Sequence, residues 1–330
     1  MTYSSGGLIQ ATDYNTFTQG GSGLNNVWST GAADFGWGQT AIASVSTGGT
    51  VTATQWATLV NTLASAGSQT NTTLTSRTAP SAGQTIAILA NVSADITSVT
   101  TNRGNAAAVG TEYGTFTGTT SKTTNTGSGQ SAWTITFTHT VTWASNDAAR
   151  YFFNAGGRVR LQYGKSSTGT DSDPDWNTFA GLCGSIYMTG RSSQTIAGTT
   201  YTGTTRVGGT GGTQTTLSTS TGWYALTPGA AATTIFQLNN ATAPYTGEYI
   251  RTTVEMNAGS TALTFVTTWV SDGSSGAGTT ANITGGTGVS SPATSIGAAT
   301  APTTLCTYIP PSTTYLTNTW GTPSITASVA

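Results

Sequence analysis

The sequence predicts a mainly β protein: an antiparallel β-sandwich, jelly-roll-like, with a small helical N-terminal region. Three observations carry that expectation. In mid-chain, Trp133, Ile135, Phe137, His139, Val141 and Trp143 alternate with Thr at every even position from Thr134 to Thr142. This period of two puts large side chains on one face and hydroxyls on the other. Beyond about residue 185 the chain consists of short apolar runs between Gly-, Asn- and Thr-rich turns, the pattern of a sandwich. Helix-period stripes, by contrast, fall mostly in residues 1–104.

Composition narrows the function. The chain has 330 residues, 36% hydrophobic and 9% aromatic, enough for a large core. Only 6% are charged, against about 25% in ordinary soluble domains. Net charge is −1, so solubility rests on Thr, Ser, Asn, Gln and the 43 Gly. Such a surface repels its neighbours weakly and favours association. Nine Trp, twelve Tyr and clear strand periodicity argue against a disordered Gly/Ser/Thr chain. The ten basic residues are scattered, with Lys only at Lys122 and Lys165, so no nucleic-acid partner is expected. No run approaches the roughly 20 apolar residues of a membrane helix, so no membrane insertion is expected. The first residues, Met1-Thr-Tyr-Ser-Ser-Gly-Gly, lack the features of a signal peptide. An outward-facing composition without an export signal fits assembly in a host cytoplasm and release by lysis, or an export signal that has been trimmed off.

Taken in order, the elements are these. Thr12 or Asp13 caps a short helix carrying Tyr14 and Phe17, which resumes over Leu24 to Trp28. Asp34-Phe35-Gly36-Trp37-Gly38-Gln39 is a glycine-flanked aromatic loop. Thr52 or Thr54 caps a better helix, with Trp56, Leu59, Val60 and Leu63 as its stripe and Gly67 as its stop. Residues 84–103 form a further helix through Leu89, Val92, Ile96 and Val99, ended by Gly104, which pairs with the preceding helix or joins a short coiled coil. Residues 105–130 read as a linker or long loop and 131–275 as the sandwich, with 276–330 as a Gly/Thr/Pro-rich extension. Within the sandwich, Arg150-Tyr151-Phe152-Phe153 and Arg158–Tyr163 read as a hairpin across Asn154-Ala155-Gly156-Gly157. Asp173 caps a helix with Pro174 in its first position and Trp176 and Phe179 facing the core, ending by Gly181 or Gly184. The remaining strands are Tyr224–Leu226, Thr234–Leu238, Glu248–Met256 and Ala262–Val270, and one around Ser324 to Val329. Asn257-Ala258-Gly259-Ser260 makes a hairpin turn, with Ile250, Val254 and Met256 on one face and Arg251 and Glu255 on the other.

The search for chemistry returns architecture. His139, the single histidine, sits in the large-residue row of its strand and reads as a hydrogen-bonded core residue. Asp171, Asp173 and Asp175 have the opening spacing of a calcium loop, but Trp176 stands where its Gly belongs and Leu182 where its Glu belongs. Capping explains these carboxylates better than a cation site, though both readings stay open. Glu248 and Glu255 have opposite strand parity and make no glycosidase pair. The glycine run from Gly208 to Gly212 lacks the Lys-Ser/Thr of a phosphate loop. Cys183 and Cys306 form no metal motif and read as small buried hydrophobes, with a single bridge as the alternative. We therefore name no catalytic, cofactor-binding or metal residue. Exposed Tyr or Trp stacking on sugar rings is a further possibility that needs no charge.

Three stretches carry a resemblance. They are Thr12-Asp13-Tyr14-Asn15 with Gly36-Trp37-Gly38-Gln39, Gly49 to Leu59 around Trp56, and Arg150 to Arg160 followed by Asp175-Trp176. In these the chain resembles a family of phage virion structural proteins frequent in cyanophages and related marine phages, over about half its length. The resemblance implies a virion component of the tail, baseplate or fibres, and it transfers no catalytic residue. The expected function is thus a non-enzymatic structural protein of a phage particle. Its partners would be other virion proteins, copies of itself and host-surface glycans. The alternatives are a carbohydrate-binding adhesin or receptor-binding protein and, further off, a polysaccharide-degrading enzyme.

Overall fold

The computed structural model describes residues 10–82, 91–117, 122–123, 133–165, 172–210, 213–241, 247–271, 282–283, 289–291 and 302–330. The protein is mainly β, with antiparallel sheets and a few helices. Sheet I runs from edge to edge through Val289–Ser291, Tyr113–Thr117, Thr303–Ile309, Arg158–Gly164, Ser185–Met188 and Thr204–Val207. Sheet II runs through Ser324–Val329, Trp133–Thr142, Ala262–Ser271, Tyr249–Met256, Thr233–Asn239 and Thr213–Leu217.

The Trp133–Thr142 strand obeys its alternation. Ile135, Phe137, His139 and Val141 are buried, while Thr134 and Thr142 are exposed. It pairs with Ala262–Ser271 on one side, His139 opposite Phe265, and with Ser324–Val329 on the other. The hairpin at Asn257–Ser260 forms as expected, closed by the Ser260 amide donating to the Asn257 carbonyl at 2.9 Å. Side chains from the two sheets meet in one core. The Tyr163 ring stacks on Phe236 at 5.8 Å, and the Trp269 indole reaches the Thr304 hydroxyl at 3.3 Å. Trp176, on the Ser172–Cys183 helix, stacks on Trp269 at 5.7 Å.

The expected hairpin at Arg150–Tyr163 is corrected. Asn146–Asn154 is an α-helix, and the strands on either side of it belong to opposite sheets. Ser145 caps it, its hydroxyl accepting from the Ala148 amide at 3.0 Å. The glycines end it: Gly157 N–H donates to Phe152 C=O and Gly156 N–H to Phe153 C=O, with Gly156 at φ +97. That paired closure with a left-handed glycine is a Schellman stop, so Gly156-Gly157 is a helix C-terminus and no hairpin turn. Helical winding drives Phe152 and Phe153 together onto Trp143, at 5.3 and 5.4 Å. A strand would have sent these adjacent rings to opposite faces.

Smaller corrections follow the same physics. Tyr224–Leu226 is no strand: Trp223–Ala225 is a 3₁₀ turn that stacks Trp223 on Phe153 at 5.0 Å. The first helix, Ala11–Thr18, is capped by Gln10, and Asp13 reaches back to the Gln10 amide at 3.3 Å. Thr52 caps Ala53–Gln69 with a reciprocal bond from its own amide to Gln55 at 2.8 Å. That helix runs through Gly67, where the Leu74 side chain lies 2.5 Å from where a Cβ would be, so Gly67 permits close packing instead of stopping the helix. Residues 83–90 lie outside the description, and the next helix is Val92–Thr101. The Ser172–Cys183 helix begins one residue before the expected cap at Asp173 and gives way to Gly184 at φ +67. Beyond residue 276 the tail supplies Thr303–Ile309, a central strand of sheet I not expected from the sequence, besides the foreseen Ser324–Val329.

Candidate functional site

Among the described residues charge is turned mostly inward. Among the described side chains no Arg or Lys is exposed, and the exposed carboxylates are Asp147 and Glu255. The clearest example is a junction where the Asp34–Gln39 loop meets the sheets. Asp34 accepts from Arg103 at 2.8 Å and from Arg191 at 2.5 Å. Arg103 lies over the Phe35 ring at 3.8 Å. Asn154, at the end of its helix, donates to Gly36 C=O at 2.9 Å and accepts from the Tyr224 hydroxyl at 2.7 Å. Its own carbonyl accepts from the Trp37 indole at 3.2 Å. Arg150 donates to Phe35 C=O at 2.5 Å and pairs with Asp147 at 2.8 Å. Burial holds the Arg191 guanidinium below its ordinary pKa, with Arg103 beside it pushing the same way. Burial also pushes the Tyr224 phenol up to about 12. These groups are committed to each other. They join segments far apart in sequence, and the cavity of about 400 Å³ beside them is lined by the same Asp34, Arg191 and Tyr224.

A second locus has the opposite character. A cleft of about 510 Å³ opens between the segment before Tyr113 and residues 308–322. Tyr113 forms part of its wall and is 48% exposed. Its ring leans on Tyr308 at 5.7 Å with 31° between planes. Trp320, also lining the cleft, is buried. Asn318, Ser312 and Thr313 contribute amide and hydroxyl groups, and none of the described lining residues is charged. The walls are tied down. Gly110 N–H donates to Pro310 C=O at 2.8 Å, and a Cβ on Gly110 would fall 2.9 Å from the Pro310 ring. Buried Gln39 accepts from Thr317 N–H at 2.8 Å and donates to Thr317 C=O at 3.0 Å, while the Thr319 hydroxyl donates to Trp37 C=O at 2.6 Å. The aromatic loop thus supports both the junction and the cleft.

The residues singled out by sequence fall elsewhere. His139 is fully buried between the sheets, bonded to the Thr304 backbone, and desolvation lowers its pKa to about 4. Cys183 and Cys306 are both buried free thiols, pushed up in pKa by burial. Asp171 lies outside the described residues, and Asp173 and Asp175 stand at the start of the Ser172–Cys183 helix. Among the described residues no group of His, Cys, Asp or Glu is arranged to hold a metal ion. Glu248 is buried and accepts from Asn240 at 3.3 Å, whereas Glu255 is exposed, so the two do not face one bond. Gly208 and Gly209 take left-handed backbone after the Thr204–Val207 strand. No helix among the described residues is long and apolar enough to cross a membrane. The cleft is not visible in the sequence because the segment ending at Tyr113 and the residues from 308 onward are brought together by the fold, Tyr113 opposite Tyr308. No sequence signal marks that juxtaposition.

Compared with known proteins, the chain matches no family model, no curated protein and no solved structure.

Proposed function

We propose that this chain is a non-enzymatic structural protein of a bacteriophage particle, placed in a tail fibre, baseplate or other exposed appendage. It assembles in the host cytoplasm with copies of itself and with other virion proteins. On this reading the two sheets form a jelly-roll-like sandwich, and the helical N-terminal region docks to the particle. The observation that supports it most is the outward surface, on which Asp147 and Glu255 are the exposed charges among the described side chains. Such a surface carries little long-range repulsion and lets subunits meet through hydroxyls and amides. The resemblance to phage virion proteins supports it further. The stretches that carry it make contact with one another: Trp37 bonds Asn154, and Tyr14 meets Trp56 edge-on at 5.4 Å.

Cryo-electron microscopy of the purified source particle tests the reading, with density for this chain at a defined position as the expected result. Its absence from any particle would end the proposal. Light scattering after size exclusion is the quicker check. We expect an oligomer whose mass stays the same between low and high salt, and a strict monomer at high concentration counts against assembly.

A further inference from the structure

The Tyr113 cleft combines four properties that point to one class of ligand. Tyr113 is left 48% exposed in a protein whose other described aromatic residues, apart from Tyr315, are buried or half-buried. The exposed ring is backed by Tyr308, so its position is held before anything binds. The rest of the described lining offers amides, hydroxyls and prolines with no charge. The volume of about 510 Å³ lies within the roughly 300–1,000 Å³ of small-ligand sites. A phosphate, sulfate or carboxylate would find no counter-charge there. An aliphatic ligand would leave the polar groups unmatched. A sugar ring satisfies both sides of the cleft, laying its C–H face on an aromatic ring and turning its hydroxyls to amides and hydroxyls.

We propose that this cleft binds a neutral glycan, one sugar ring stacking on Tyr113 while the exposed Asn318 and Thr313 meet its hydroxyls. Tyr308 supports the stacking ring from behind, and the Gln39 bonds to Thr317 fix the far wall. Pre-formed walls reduce the ordering cost of binding. Two other clefts do not share this character. The one along Ala53–Gln69 includes Arg77, and the one at Asp34 is bordered by guanidinium and carboxylate groups already paired. The inference goes beyond the assembly reading and is decided separately from it, because a glycan site can sit on a monomer or on a particle subunit.

The test uses the full chain on a printed array of neutral and acidic glycans, followed by calorimetry with the strongest neutral binder. We expect neutral glycans to bind in preference to acidic ones, with an affinity unchanged by salt. Tyr113→Ala should weaken binding about tenfold or more, equivalent to losing one aromatic stacking contact, while Tyr113→Trp retains it. Tyr315→Ala, which removes the other exposed aromatic ring, should leave binding unchanged. The proposal is overturned by an array without neutral binders, by a preference for acidic glycans, by binding that survives Tyr113→Ala in a folded variant, or by binding lost with Tyr315 instead.

Discussion

The Asp34 junction and the Tyr113 cleft lie on either side of one loop and use polar groups in opposite ways. At the junction, Arg103 and Arg191 share Asp34, Arg150 holds the Phe35 carbonyl and buried Asn154 holds that of Gly36, which together seal the N-terminal region to the sheets. At the cleft, amides and hydroxyls stay unoccupied by charge beside an open aromatic face. The difference teaches how a chain with so few ionic groups distributes them. Arginine holds architecture together, where its planar fork can meet several backbone carbonyls and one carboxylate at once. Recognition is left to rings and hydroxyls, which interact at short range and do not respond to salt.

The sharpest way to break the architectural half is at Gly38. Its φ is +71, and an added Cβ would lie 2.4 Å from the Tyr151 ring. Gly38→Ala combines left-handed strain with a clash against a packed helix, and we expect it to cost about 3–4 kcal/mol in urea denaturation. Gly48 supplies the comparison: its φ is +80, but nothing lies within 4 Å of an added Cβ. Gly48→Ala should cost only about 1 kcal/mol. Equal losses at the two sites would show that packing on Tyr151 contributes nothing.

A second prediction separates both regions from the core between the sheets. His139 is neutral when buried, with a pKa lowered from 6.5 to about 4, mainly by desolvation. The unfolded chain takes up the proton first as pH falls, so stability present above pH 6.5 is lost through the window down to about pH 4. The loss amounts to roughly 3 kcal/mol at 1.36 kcal/mol per unit. His139→Phe should flatten the slope of unfolding free energy between those pH values. A slope unchanged in that variant would place the acid sensitivity elsewhere.

Third comes the carboxylate of the junction. Asp34→Asn leaves Arg103 and Arg191 facing each other without their shared counter-charge. With side-chain exposures of 16% to 33% across the three groups, solvent screening reduces the penalty below that of a fully buried pair, to about 2 kcal/mol. Asp147→Asn, at a carboxylate 60% exposed, should change stability by less than about 0.5 kcal/mol. Similar losses from the two variants would erase the distinction between a structural and a surface ion pair.

How much of this was legible follows from what burial does to pattern. Trp133–Thr142, Tyr249–Met256 and Ala262–Ser271 have one face inward and announced themselves by alternation. Thr303–Ile309 is buried along its whole length, so it shows no alternation, and its partners Tyr113–Thr117 and Arg158–Gly164 lie far away in sequence. Arg150–Phe153, inside the Asn146–Asn154 helix, reads as a strand because Tyr151-Phe152-Phe153 is apolar in either period. The deciding signals were local, Ser145 as a cap and Gly156-Gly157 as a stop. The junction was half visible: the Gly36-Trp37-Gly38-Gln39 loop stood out, but Arg103, Asn154 and Arg191 gave no hint that they converge on it. Exposure of Tyr113 is a property of the fold alone.

The smallest expected effect bears most directly on function. Tyr113→Ala removes a half-exposed ring whose contact is to Tyr308, at the mouth of a cleft. Surface truncations outside the core change stability by less than about 0.5 kcal/mol, so unfolding curves of this variant should overlay those of the parent. Trp320→Ala, in the lining of the same cleft, removes a ring only 2% exposed and should cost about 3–5 kcal/mol. The pair tests whether the cleft is a finished surface or a defect in packing. If Tyr113 were merely an imperfectly buried core residue, its removal would destabilise the protein in proportion to the area it covers. A ring whose loss leaves stability intact is free to be judged by what it binds.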